Sequence, residues 1–435
     1  MSRNVSFKKL IPLGIASAFA LTTQAYASGF QLLEQDAAGA GNAYAGTAAE
    51  ANSASTAFFN PAGLTRLKNK QVVVGGTAVF TDAKFDGRQD VSIKIGPKEI
   101  THFSLLGNAQ GGEFSVVPNI HIALPYNDDV VFGFSVSMPF GLSTDWEENS
   151  VVRYAATRSE LQVVNLSPSV GFKVSKHLSA GFGLDVQRLN LTLNEMVFTP
   201  LADSKSQNKG NSWATGWHAG LLYEIDEHSR IGLNYRSAVQ HHIEGASYLT
   251  GETSDLSNFS PELNGNLRLP ASTTLSAYHE LNDQWALMGT VSYTQWSSIN
   301  SIALNKVAGF EPEPIDINQV TDYKNTWRFA VGANYHLNDN IMLRAGASYE
   351  QTPTNDAYRD VRLPDGNRYA LALGGHYQAS KTIGVDAGWT HLFVQDGVID
   401  SSVTLGEKIS EKATTRGKVR NQADVFGLQL TWDVV

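Results

Sequence analysis

From residue 71 onward, hydrophobic and polar residues alternate along this chain with a period of two. In the run from Trp327 to Tyr335, Trp327, Phe329, Val331, Ala333 and Tyr335 fall on one face and Arg328, Ala330, Gly332 and Asn334 on the other. Successive side chains of a strand point to opposite sides, so one side is oily and the other small or polar. The same alternation recurs from Phe426 to Trp432, from Ile341 to Tyr349 and from Val130 to Val136. After residue 28 there is no run of 18 apolar residues, so no transmembrane helix is expected.

A soluble sandwich alternates too, and turn spacing separates the two. Short polar turns recur at Asn127-Asp128-Asp129, Lys176-His177, Asp226-Glu227-His228, Asn282-Asp283, Asn338-Asp339-Asn340 and Ser380-Lys381. Most lie far enough apart for two strands and one long Gly/Ser/Asn/Asp-rich loop. Short turns at one end with long loops at the other mark an outer-membrane barrel, whereas sandwiches turn more evenly. The expected fold is therefore all-β, an antiparallel transmembrane barrel. Fourteen strands are placed at 71–82, 113–125, 130–138, 157–175, 179–196, 213–225, 230–245, 264–280, 284–304, 322–337, 341–352, 367–379, 382–394 and 420–434. Tyr126, Tyr223, Trp285, Trp296, Tyr335, Trp389 and Trp432 are candidates for interfacial girdles.

The first residues change the compartment. Arg3, Lys8 and Lys9 precede an apolar stretch from Leu10 to Leu21, and Ala25-Tyr26-Ala27 supplies a small-x-small cleavage site. Residues 1–27 read as a signal peptide, with Ser28 the first mature residue. Its loss removes three positive charges and no acids, taking the formal charge from −9 to −12. An acidic chain is a poor partner for nucleic acid, which needs clustered Lys and Arg. With no cysteine, neither a disulfide framework nor a thiolate metal site is available.

Residues 28–70 lack the strand period, and 71–435 form the barrel. Small residues from Ala37 to Gly46 allow short helical turns in a confined space, Pro61 halts a helix and Gly63 permits the next turn. Apolar residues at 30, 32, 33, 58, 59 and 64 require burial, and in a barrel the lumen provides it. The segment reads as a plug.

The start Ser28-Gly29-Phe30-Gln31-Leu32 and the motif Asn60-Pro61-Ala62 resemble the hatch of the FadL-type family of outer-membrane long-chain fatty acid transporters (FadL/OmpP1/TodX). Further matching stretches are Pro139 to Leu142, Ala219 to Glu224, Tyr293 to Ser297 and Tyr323 to Arg328. The resemblance covers essentially the whole mature chain and implies a fourteen-stranded barrel stoppered by an N-terminal hatch of short helices. Many outer-membrane proteins end in an aromatic residue, whereas this chain ends Trp432-Asp433-Val434-Val435, a departure that bears on assembly.

A fatty acid needs an oily cavity and a cation. Burying ~16 methylenes contributes on the order of 13 kcal/mol before entropic and desolvation losses. Because Trp327, Phe329 and Val331 face lipid by polarity, Lys324, Thr326 and Arg328 share the lumenal face. A cation on the lipid side would cost ~2–4 kcal/mol. Lys324 could instead pair with Asp322 at the rim. The resemblance implies lumenal basic residues on the carboxylate, which favours Lys324, and implies Phe30 and Leu32 as pocket walls. Arg188 is a further candidate whose facing is open: either a bulge switches faces, or Leu189, Leu191 and Leu193 line an oily pocket. The resemblance also implies capture at extracellular loops, for which 197–212 and 246–262 stand by position, then hatch gating and sideways release. Gly133 with Pro139 could mark the required kink.

The expected partners are an apolar ligand, outer-membrane lipid and lipopolysaccharide, with the protein a monomer that needs no cofactor. Catalytic motifs are missing: there is no H-E-x-x-H and no G-x-S-x-G. His241-His242 straddles two faces of a strand and reads as solvated rim. Alternatives are a carrier of aromatic hydrocarbons, a general porin, or an outer-membrane lipase.

Overall fold

The computed structural model describes residues 29–199, 202–253, 257–310, 313–406 and 408–434, so the expected signal peptide and Ser28 lie outside the described residues. The chain forms one antiparallel sheet closed on itself. β1 (Lys70–Ile95) turns into β2 (Lys98–Gln110), a hairpin partner above the membrane. The wall continues through β3 (Phe114–Pro125), β4 (Val130–Asp145), β5 (Arg158–Lys173), β6 (Leu178–Val197) and β7 (Ser204–Glu224). Four crossings are each split in two: β8 (Ser229–Arg236) with β9 (Val239–Thr250), β10 (Asn258–Leu269) with β11 (Ser272–Glu280), β12 (Trp285–Thr294) with β13 (Ser301–Val307), and β14 (Ile315–Val320) with β15 (Thr326–Asn338). Then come β16 (Ile341–Glu350), β17 (Arg368–Gln378), β18 (Ile383–Val394), the hairpin strand β19 (Gly397–Leu405) and β20 (Ile409–Val434). β20 pairs with β1 from Lys70↔Val434 to Ile95↔Ile409. With β2 and β19 outside the ring and the split pairs counted once, fourteen strands cross and the barrel closes. Closure pairs backbone groups that lipid could not satisfy.

The outward face of β1 is Val72, Val74, Gly76, Ala78 and Phe80, and then turns charged at Asp82, Lys84, Asp86 and Arg88. That switch marks the outer boundary of the hydrocarbon. Paired rings ring both boundaries: Trp285–Tyr335 at 4.6 Å near the short turns, and Phe80–Phe114 at 4.8 Å and Tyr293–Trp327 at 4.7 Å at the other end. Trp296 departs from the girdle expected of it. It is fully buried, because β12 breaks into a 3₁₀ turn (Trp296–Ser298) that swings the indole inward.

Short turns share one device. Asn127, Asp226, Asn282 and Asn338 each accept, on their side-chain Oδ1, the backbone N–H groups two and three residues on. At the other end, three stretches expected as loops (83–112, 197–212 and 395–419) are largely strand, as are 246–250 and 258–262. There both faces of the strand are polar or mixed, so the oily period that marks membrane strands vanishes while the ladder continues.

Residues 29–67 lie inside the ring. Two single-turn helices, α1 (Ala37–Ala40) and α2 (Thr56–Phe59), are followed by the 3₁₀ turn η1 (Pro61–Arg66). Asp36 caps α1 by accepting from Gly39 N at 2.8 Å. Asn60 ends α2, caps η1 by accepting from Ala62 N at 3.1 Å, and donates Nδ2 to Ala48 O (2.6 Å) and to the wall at Leu221 O (3.0 Å). Phe30, Leu32, Phe58 and Leu64 are buried, as their polarity demands.

Candidate functional site

The top of the hatch is the floor of an apolar cavity. The Phe30 ring meets Trp296 edge-on at 4.8 Å and Phe140 at 6.0 Å, and Trp296 lies 6.2 Å from Tyr323. Above this floor a cavity of about 1020 Å³ is walled by Leu142, Leu161, Leu191, Ile243, Leu267 and Leu304. A second cavity of about 1540 Å³ lies between the strand extensions, against Ile93, Phe198, Leu249, Phe310 and Ile409. Leu405 lines both, so the two apolar cavities are neighbours.

The lower cavity's polar lining is anionic in balance. Glu160, Glu195 and Asp360 face it, with Arg362 the one cation among the described lining residues. Arg362 binds Glu195 through Nη2 and donates Nη1 to Ser159 Oγ at 3.0 Å. Burial raises the Asp360 carboxyl above the usual carboxylate range.

Below the cavity the wall is split. β3 pairs with β4 only from Pro125↔Val131 to Ile120↔Val136. Beyond that, β4 shifts register against β5 between Ser137 and Phe140 and bends inward. The hatch takes the place of β3: Leu32 N donates to Pro139 O (2.9 Å), Gly141 N to Phe30 O (2.8 Å), and Gln35 receives Met138 N and donates to Met138 O. Pro139 lies within the bend, while Gly133 lies below it, where Leu64 of the hatch packs too closely for a side chain.

The family model described as "Outer membrane protein transport protein (OMPP1/FadL/TodX)" matches residues 18–433. The chain belongs to this family. A long-chain fatty acid transport protein of Salmonella typhi is 27% identical, with 91% of this chain and 94% of that protein covered. Outer membrane protein P1 of Haemophilus influenzae is 29% identical over 94% and 95%. The crystal structure of a Pseudomonas aeruginosa FadL homologue superposes with TM-score 0.82 at 24% identity, over 93% and 99%. The Pseudomonas putida toluene transporter TodX gives 0.66 at 16%, over 94% and 100%. This is an outer-membrane transporter of hydrophobic substrates, not an enzyme.

In this FadL-family barrel the residues singled out from sequence separate. Phe30 lines the cavity, but Leu32 packs on the far side against Val117 and Met138. Arg328 is lumenal, as its parity implied, yet Nη2 is spent on Ala43 O of the hatch. Lys324 sits outside regular strand between β14 and β15, where its side chain is exposed and does not line the cavity. Arg188 points outward over the Trp213 ring at 5.4 Å. No bulge intervenes in β6 against β7, so its odd-numbered leucines are the ones facing the oily cavity. His241 is not solvated: it is fully buried, with Nε2 3.2 Å from Gln187 Oε1, because that strand is covered within the lumen. Asn60, Pro61 and Ala62 are all buried in the hatch and act in holding it. Arg362 and Tyr323 escaped the sequence reading. Each belongs to a non-strand segment, where no period announces facing.

Two further lumenal arginines hold the hatch as Arg328 does. Arg230 donates to Ala49 O and Glu50 O (2.7 Å each), and Arg236 donates to Phe58 O at 2.9 Å while pairing with Asp185. These cations satisfy plug carbonyls in a confined interior.

Proposed function

We propose that the cargo is a long-chain fatty acid, taken passively from the outer cavity to the lower one and released when the hatch moves. The observation that carries this reading is the pair of neighbouring apolar cavities that share Leu405, the lower one floored by Phe30 and bearing Arg362. A long alkyl tail can reach across two neighbouring apolar cavities where a compact ligand would fill one, and most of its binding free energy comes from burial. Arg362 is the group suited to the carboxylate, by exchanging Glu195 for it in a charge-assisted pair. The similar proteins described as long-chain fatty acid transport proteins support the same cargo.

Titration calorimetry with oleate tests this. Arg362→Ala is expected to weaken oleate binding by about tenfold, the loss of one charged hydrogen bond. Lys324→Ala is expected to leave it unchanged. Toluene binding without oleate binding would overturn the reading in favour of hydrocarbons. That second reading has its own support: the acids around the lower cavity outnumber Arg362 and would repel an anion.

The surroundings fit a monomer in lipopolysaccharide. The ring closes within one chain, and above Phe80 and Phe426 the outward face carries Lys84, Arg88, Lys418 and Arg420, interspersed with Asp86 and Asp90. Such cations are suited to lipid phosphates.

A further inference from the structure

The split between β3 and β4 has an unusual apex. Ile120↔Val136 is the last pair, so Asn119 and Ser137 are the first residues beyond it on the two lips. Above them Phe114 to Asn119, about 20 Å of strand at roughly 3.3 Å per residue, have no β4 partner among the described residues. The lips rejoin at the top, where Asp145 N donates to Gly111 O at 3.3 Å and Ser143 binds Glu113. Each lip carries a proline, Pro118 and Pro139, which cannot donate to a ladder and so keeps the seam from zipping shut.

The lumenal side of this seam is polar and incomplete. Asn119, Ser137, Ser115 and Thr77 are all fully buried, at 0% exposure. Among the described residues neither amide atom of Asn119 has a hydrogen-bond partner, nor do the hydroxyls of Ser137, Ser115 and Thr77. Buried polar groups are otherwise almost always paired, and a fully buried amide with nothing to bind is costly. An apolar residue would pack better there if the wall were only a wall. Nearby Val79, Val117 and Met138 show that oily residues are accommodated at this level.

We propose that Asn119 and Ser137 form a transfer station for the cargo's polar head, hydrogen-bonding a carboxyl group as it passes from the lumen through the seam. The amide can donate to a carboxylate and accept from a protonated acid, and the Ser137 hydroxyl does both. The apolar tail needs no such help. The station therefore acts on release of a head-bearing lipid and not on its storage in the cavity above. This rests on the fatty acid reading, and the test separates the two.

The test uses the full-length protein in proteoliposomes, with barrel integrity checked by heat-modifiable gel mobility. Oleate and 1-octadecene, a neutral hydrocarbon of the same length, are compared for binding and for transfer rate. Asn119→Leu, alone and with Ser137→Ala, is expected to slow oleate transfer by about tenfold, the effect of losing a hydrogen bond to a charged group. Oleate affinity should stay unchanged, octadecene transfer should be spared, and Asn119→Gln should restore much of the rate. Unchanged oleate transfer, or equal slowing of both cargoes, would overturn the station while leaving the fatty acid reading intact. Failure of the unaltered protein to bind oleate would sink both.

Discussion

Single glycines on the lumenal wall let the hatch sit where it does. A Cβ at Gly232 would stand 1.8 Å from Ala48 O, and one at Gly220 would stand 1.9 Å from Asn60 Oδ1. The first obstacle is backbone, fixed by the carbonyl's neighbours, so nothing can rotate away. Gly232→Val is expected to destabilise the seated hatch by about 1–3 kcal/mol, as overpacking does. In planar bilayers this variant should show frequent openings where the unaltered barrel is mostly closed, and a trace as quiet as the parent's would refute the point. A residue such as Gly232 is invisible to pattern reading, because a glycine between two alternating positions looks the same whether it faces lipid or a plug.

As an element, the hatch is held by groups whose protonation matters. Glu34 is 5% exposed, with its Oε2 unpartnered among the described residues, and burial pushes its carboxyl up to about 7 from 4.5. The folded hatch therefore holds a proton there that the unfolded chain has already lost between these values. Stability falls as pH rises from 4.5 to about 7 and is flat on either side of that window. Glu34→Gln should flatten this slope in thermal melts across the same range, and an unaltered slope would assign it to another group. The motif Asn60-Pro61-Ala62 shows what an element takes from sequence alone. Pro61 starts the 3₁₀ turn and Asn60 caps it, whereas the Asn60 bond to Leu221 O depends on the wall.

For the whole molecule, ring and plug are separable in their bonding. The fourteen crossings hydrogen-bond to one another around the barrel, and the hatch substitutes for wall only along the upper half of β4. A chain lacking residues 29–67 is expected to retain the heat-modifiable mobility of a folded barrel, conduct ions steadily, and lose oleate binding with its Phe30 floor. A deletion that failed to assemble would show that the plug is needed to close the ring.

The alternation of residues such as Trp327, Phe329 and Val331, taken together with the wide spacing of the short turns, settled from sequence that this chain would be a membrane barrel, since lipid outside admits only apolar side chains on every second position. Its short polar turns set the number of crossings, and its small, unpatterned first segment declared itself as something other than wall. What the tertiary structure decided was the use of the interior. Arg328 faces inward by parity, but that its Nη2 meets Ala43 O follows from where the hatch sits. Arg362, Tyr323 and the unpaired Asn119 meet the lower cavity or the seam because distant segments of the chain come together there. Facing is a local property with a period that a sequence displays. What a side chain faces depends on chain segments hundreds of residues away, and no local pattern encodes that.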